Sequence, residues 1–328
     1  MNNLVDLDAV PALAAPPRMG RALILPVLIF AVFALVPLAL LLGPQSYVLA
    51  VVTRIMILAL AAMSLDLLIG YGAMISFGHA AFVGLGAYSV AILASHGITD
   101  GFVQLAAMVA TSIVFAVITG AISLRTKGVY FIMITLAFAQ MIYFVFIALK
   151  YYGGDDGLSM TSRNLFAGTR ITNAQSFYWI CLGALGLCLL IQWRIVVSRF
   201  GIALRGAASN ERRMAALGFS VYGYRLVAFV IAGMMTGLAG ALWANLNRFV
   251  SPDMLSWVRS GEFMVMVIMG GLSSLFSPIV GAAAFLLVET ALAGWTEHWQ
   301  VAFGPFVLLV ALFAPRGIWG LVRGKGKP

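Results

Sequence analysis

The chain has 328 residues, 62% of them hydrophobic and only 9% charged, with a formal net charge of +9. Ordinary soluble domains are about 45–50% apolar and about 25% charged, so the composition excludes a soluble shell and leaves an all-α, polytopic membrane protein. An outer-membrane barrel would alternate in strands of about ten residues, whereas the apolar runs here are long and unbroken; the basic residues flank those runs, which is a topology signal and not a nucleic-acid footprint.

In chain order, residues 1–20 begin acidic in "MNNLVDLDAV" and continue as a Pro/Ala linker. They lack the positive start and apolar middle of a signal peptide and are expected to form a cytoplasmic N-terminal tail. A spanning helix needs about 20 apolar residues. Charge-free windows place ten such spans in a transmembrane body at 21–316. Spans 1 and 2 fall at 22–42 and 47–66, separated by "GPQS"; span 3 at 72–95; span 4 at 102–124, ended by "RTK"; span 5 at 128–149. The polar loop from Lys150 to Gln175 is read as solvated or, alternatively, as a protein contact through Asp155, Asp156 and Arg163. Span 6 (177–197), a basic insert and span 7 (225–245) follow. "MGGLSSLFSP" (Met269 to Pro278) has turn chemistry and divides span 8 (254–271) from span 9 (278–292). Span 10 (299–315) leads to a basic cytoplasmic tail at 317–328. Cys181 and Cys188 lie about two helical turns apart, too far for a disulfide, and are read as packing residues.

Ten crossings put both termini on one face. That face also holds Arg18, Arg21, Arg125, Lys127, the six arginines between Arg194 and Arg225, and the four basic residues from Arg316 to Lys327, fourteen in all. The opposite face holds five: Lys150, Arg163, Arg170, Arg248 and Arg259. The positive-inside rule makes the first face cytoplasmic.

The insert "ASNERRMAALGFSVYGYR" (Ala208 to Arg225) carries its own helix signals. Asn210 is a good N-cap, and Glu211 suits the positive end of the helix. Met214, Ala215 and Leu217 supply an apolar face, and Gly218 can end the helix in the left-handed conformation. The result is a helix of about two turns over 208–219. A helix that short is marginal alone in water, so it is expected to gain order against a partner or, alternatively, against anionic lipid.

"GYGAMISFGHAAFVGLGAY" (Gly70 to Tyr88) is dense in glycine. Small residues let helices approach closely and let backbone unwind beside a pathway. One reading makes this stretch the lining of a substrate route, with Ser76, Gly78 and His79 as small or polar positions and Phe77, Phe82 and Tyr88 as apolar gate surface; tight packing is the other. Gly233, Gly237 and Gly240 form a second small-residue face, read as packing. Glu262 is assigned to the same route, and its spacing of three from Arg259 lets the two pair on one helix face.

A gradient-driven secondary transporter needs ionisable groups inside the membrane. The candidates are Arg54, Asp66, His79, Glu262 and Glu289. Arg54, Asp66 and Glu289 are expected near helix ends, leaving His79 deep. The sequence holds no phosphate-binding G-x-x-x-x-G-K-[ST]. No cofactor, metal or catalytic residue is expected, and energy has to come from an ion gradient or from a partner that binds ATP.

Several stretches taken together resemble a known family: "SLDLLIGYGAMISFGHAAFVGLGAYSVAIL", "GVYFIMITLAFAQMIYFV", "FGIALRGAASNERRMAALGFSVYGYRLVAFVIAGMMTGLAGALWA", "FVSPDMLSWVRSGEFMVMVIMGGLSSLFSPIVGAAAF" and the closing "LFAPRGIWGLV". In collinear order from about residue 20 to 322, they resemble the LivM-type permease subunit of bacterial ATP-binding-cassette importers for branched-chain amino acids. Importers for urea or short amides share much of the pattern. The resemblance implies a multi-pass, non-catalytic subunit of the bacterial inner membrane with both termini cytoplasmic. It implies a LivH-type permease partner, two ATP-binding-cassette ATPase subunits that bind the ATP, and a periplasmic substrate-binding protein. It also implies that the insert is the coupling helix gripped by an ATPase, with Asn210, Glu211, Arg212, Ala215, Ala216 and Gly218 at the contact.

Overall fold

Backbone amides and carbonyls that sit in hydrocarbon must find partners within the chain, and this chain satisfies them with helices. The computed structural model describes residues 45–160, 173–295 and 317–322, with short pieces at 30, 33–35, 37, 165–166, 169–170, 301 and 303–305. Most of spans 1 and 10, the first twenty residues and the last six lie outside the described residues.

Among the described residues, five helical segments are long and apolar enough to cross a membrane, and the chain is an all-α polytopic membrane protein. They are α1 (Gln45–Asp66, continued by a π-turn at Leu67–Tyr71), α3 (Gly101–Ser123), α4 (Val129–Ala148), α5 (Ala174–Val197) and α8 (Val221–Asn247). Three shorter helices accompany them: α2 (His79–Ser95), α9 (Trp257–Gly270) and α10 (Ser277–Ala293). At 1.5 Å per residue, a 17-residue helix is about 25 Å long, less than the hydrocarbon thickness of about 30 Å. Each of these three abuts a break in the helical path.

α1 and α8 form the buried axis. α8 packs on α2, α3 and α1, while α10 packs on α9 and α1. α4 faces mostly outward, with Met133, Met141 and Phe144 all exposed. Cys181 and Cys188 sit in the core where α5 meets α1, beside Leu185 and Met63. A close seam joins α2 to α8. A β-carbon added at Gly240 would run into the Val83 carbonyl, and one added at Gly86 into the Gly237 carbonyl. Backbones in such contact gain dispersion energy that a larger side chain would exclude.

Two short antiparallel pairs tie loops down. β1 (Leu158–Ser159) pairs with β4 (Phe249–Val250), and β2 (Leu165–Phe166) pairs with β3 (Thr169–Arg170). The first pair fixes the loop after α4 to the end of α8, aided by a Met160 N–H donating to the Arg248 carbonyl at 2.8 Å.

Two sequence expectations are corrected. Span 3 was expected at 72–95, but its helix starts only at His79. The π-turn ends at Tyr71, and Ala73 adopts a φ of 51°, which an α-helix does not accommodate. The helix of the insert was expected over 208–219, but it covers only Glu211–Ala216 (α7), and residues 208–209 close a separate preceding helix, α6 (Arg199–Ser209). Asn210 is extended, with a φ of −153°, so it stops α6 and caps α7 by accepting the Arg213 N–H at 2.9 Å. Its expected capping role holds, and Gly218 takes the expected left-handed conformation, at φ 85°.

The α2–α8 seam generates a direct test. Gly240→Leu should destabilise the detergent-solubilised protein by at least about 1–3 kcal/mol, the usual cost of overpacking. Gly183→Ala, where an added β-carbon meets nothing, should leave the thermal midpoint unchanged.

Candidate functional site

The described residues bring charge together at one end of the bundle and expose a basic insert at the other. α8 joins the two. Val221 adjoins the insert, and Trp243 lies about 33 Å further along at 1.5 Å per residue.

At the far end a cavity of about 230 Å³ opens between α1, α8, α9 and α10. Arg54 of α1 crosses it to Glu289 of α10, with Nη2 3.1 Å from Oε1. The Arg54 guanidinium stands over the Trp243 ring at 5.5 Å, a cation–π contact that fixes its plane. Arg259 bridges Glu262 at 2.9 Å and Asp253 at 3.0 Å. Two guanidinium groups therefore face three carboxylates. Leu58, Val83, Phe263 and Phe285 complete an apolar wall.

The pairing of Arg259 with Glu262 is the one expected from their spacing. The pairing of Arg54 with Glu289 is not; both were placed near helix ends with no partner. The signal that could have found it is general: an ionisable side chain inside an apolar run is normally paired. Asp66 ends α1, as expected. It is fully buried at the junction of α1 and the π-turn, where its Oδ1 accepts the Ser273 N–H at 3.0 Å.

The expected pathway residues separate. Glu262 lines the cavity. Ser76, Phe77 and Gly78 lie in the non-helical stretch, where the Ser76 hydroxyl accepts the Gly78 N–H and the Thr135 hydroxyl accepts the Phe77 N–H. His79 opens α2 fully buried, with Nε2 3.2 Å from the Ser64 hydroxyl, which in turn meets the Thr236 hydroxyl at 2.5 Å. Phe82 packs edge-on to Phe115 and Phe229, and Tyr88 stacks on Phe146 at 4.1 Å. These α2 side chains are packed into the bundle, and α2 reaches the cavity through Val83 instead.

At the near end, Glu211 joins three elements. Its Oε2 lies 2.9 Å from Lys127 and 3.0 Å from Arg225. Burial alone pushes the Glu211 carboxyl up, but the hydrogen bonds and positive charge of Lys127 and Arg225 outweigh it and hold the group below the ordinary carboxylate value. Met214 covers Gly206 of α6. Arg212, Ala215, Ala216 and Gly218 remain exposed, as do Leu217 at 66% and Phe219 at 41%. Leu204 of α6 is buried in the same cluster as Tyr71 and Met74 and reaches Gly72, so α6, the helix that leads into the insert, rests on the break that follows α1.

The family model described as the permease component of the branched-chain amino acid transport system matches residues 47–312. The chain is 23% identical to the high-affinity branched-chain amino acid transport system permease protein LivM of Salmonella typhimurium, and 24% identical to LivM of Escherichia coli. Each match covers 84% of this chain and 71% of the relative. A nucleoside ABC transporter permease, NupC of Lactococcus lactis, is 30% identical over 30% of this chain and 27% of its own. No solved structure gives a match.

The Glu211 junction predicts unequal partners. Lys127 is 68% exposed, so Lys127→Ala should change local stability by no more than about 1 kcal/mol. Arg225 is 15% exposed and also donates to the Ala207 carbonyl, so Arg225→Ala should cost about 1–3 kcal/mol. Hydrogen exchange of residues 208–219 reads both. A carboxyl held below its ordinary value stabilises the fold fully above that ordinary value and loses the contribution as pH falls through its lowered, folded-state value. The protection supplied by Glu211 should therefore be complete at neutral pH and vanish only in acid.

Proposed function

This chain belongs to the branched-chain amino acid transport system permease family, and on that premise we propose that it carries branched-chain amino acids inward across the bacterial inner membrane. It is the non-catalytic permease subunit of an ATP-binding-cassette importer and works with ATPase and substrate-binding partners. A LivH-type permease stands beside it, and two ATPase subunits bind the ATP. Both termini and the insert face the cytoplasm, where the excess of basic residues belongs.

The observation that carries the energy-input step is the exposed surface at 212–219. Leu217 and Phe219 stand in the open beside Arg212 and Arg213. Apolar side chains on so short a helix gain order when a partner covers them. The ATPase is that partner, and Asn210, Glu211, Arg212, Ala215, Ala216 and Gly218 shape the contact. Motion of α6 bears on the Tyr71–Met74 break through Leu204. Ser76, Phe77 and Gly78 are the moving part of the substrate route; His79, Phe82 and Tyr88 form its packed wall; Glu262 marks its outer mouth. Asp155 and Asp156, exposed on the loop at that end, meet the binding protein.

The complete complex in vesicles, supplied with ATP, should accumulate leucine in preference to urea. Glu211→Arg sets a third positive charge beside Lys127 and Arg225. Gly218→Pro demands a φ near −65° where the chain has 85°. Each should lower ATP-driven uptake at least about tenfold, equivalent to about 1.4 kcal/mol of docking energy, while membrane insertion survives. Normal uptake in both variants contradicts the coupling role.

A further inference from the structure

We propose that the charged cavity at the end opposite the insert is a binding site for a zwitterionic α-amino acid with an aliphatic side chain. This rests on the importer reading and adds where, and by what chemistry, the passing solute is recognised.

Three observations carry it. First, the cavity presents both signs of charge within one small volume, through Arg54 with Glu289 and Arg259 with Glu262 and Asp253. A free amino acid carries a carboxylate for a guanidinium and an ammonium for a carboxylate. Urea carries neither charge, and an aliphatic acid or amine carries only one. Second, the other wall is apolar, through Leu58, Val83, Phe263 and Phe285, which suits a branched aliphatic side chain. Third, stability alone does not account for these charges. Partly buried ion pairs hold helices together no better than apolar contacts of the same size, and ionisable groups at membrane depth mark solute paths. Arg54 also keeps an Nε with no hydrogen-bond partner among the described residues, while its Nη2 holds Glu289. A carboxylate accepting from that edge of the guanidinium completes it.

The site holds its ligand by exchange of partners. The solute carboxylate takes donors from Arg54, and the solute ammonium takes acceptors from Glu262 and Glu289. The arriving charges replace contacts that the side chains otherwise make with one another, so binding leaves none of them unpaired. Trp243 beneath Arg54 keeps the guanidinium in place through the exchange.

The test uses the assembled permease–ATPase complex in lipid nanodiscs with Asn247→Cys, an exposed position that lines the cavity. The native Cys181 and Cys188 are buried, so a charged thiol reagent reports on position 247. Leucine should slow the modification severalfold. Leucinamide, which lacks the carboxylate, and 4-methylpentanoate, which lacks the ammonium, should not. Adding Arg54→Gln should abolish the effect of leucine. ATP-driven leucine uptake by the same complex with its binding protein is measured in parallel. Uptake without protection by leucine overturns the cavity site and leaves the importer reading standing. Protection without uptake overturns the importer reading and leaves the cavity site standing. Equal protection by leucine and both analogues overturns recognition of the zwitterion.

Discussion

The absence of water from hydrocarbon governs this molecule: a helix may break inside the bundle only where something else takes over its hydrogen bonds. Among the described residues, two breaks of this kind lie at 72–78 and at 271–276, and they close on each other. Asp66 accepts the Ser273 N–H, and the Ser273 hydroxyl donates to the Gly70 carbonyl. Ser277 serves the Gly271 carbonyl, and the Ser260 hydroxyl accepts the Ala80 N–H at the start of α2. Ala73 and Ser273 each hold a positive φ, a strained conformation that persists when surrounding contacts over-determine it. Without these side chains the short helices α2, α9 and α10 would have no stable beginning or end.

The breaks lie between the two functional ends. α6, which leads into the insert, rests on the first through Leu204, and the first is bonded to the second through Asp66 and Ser273. From there α1 and α10 run to the cavity, where Arg54 and Glu289 bridge them. α8 supplies a rigid strut between the same ends, sealed against α2 by contacts that leave no room for a β-carbon at Gly240 or Gly86. Packed seams of this kind shift between discrete arrangements and do not deform smoothly. A displacement imposed on the insert therefore has a mechanical route to the far end.

Much of the scaffold was legible in the sequence, because apolar length alone specifies a spanning helix. Spans 2, 4, 5, 6 and 7 and the divide between α9 and α10 follow from charge-free windows and turn residues. The Arg259–Glu262 pair was legible because three residues is one helical turn. The Arg54–Glu289 pair joins positions 235 apart in the chain, and no local pattern encodes which distant helix lies opposite. The cavity was hidden for the same reason. The start of α2 at His79 was half legible: glycine density at 70–78 signals a backbone able to unwind, but the hydroxyls that make unwinding tolerable come from Thr135 and Ser260, on other helices. The insert showed its cap and its end but not the helix before it, which the extended Asn210 that caps α7 also terminates.

The central claim is that the insert is a cytoplasmic handle and the charged cavity faces the other side. Sidedness tests it most directly. Single cysteines are placed at Leu217, 66% exposed on the insert, and at Tyr151, 81% exposed on the loop at the cavity end, and intact cells are treated with a membrane-impermeant thiol reagent that reaches the periplasm. The account predicts that the cysteine at 151 is modified in intact cells and the cysteine at 217 only after the inner membrane is permeabilised. Modification of 217 in intact cells, with 151 protected, would contradict it.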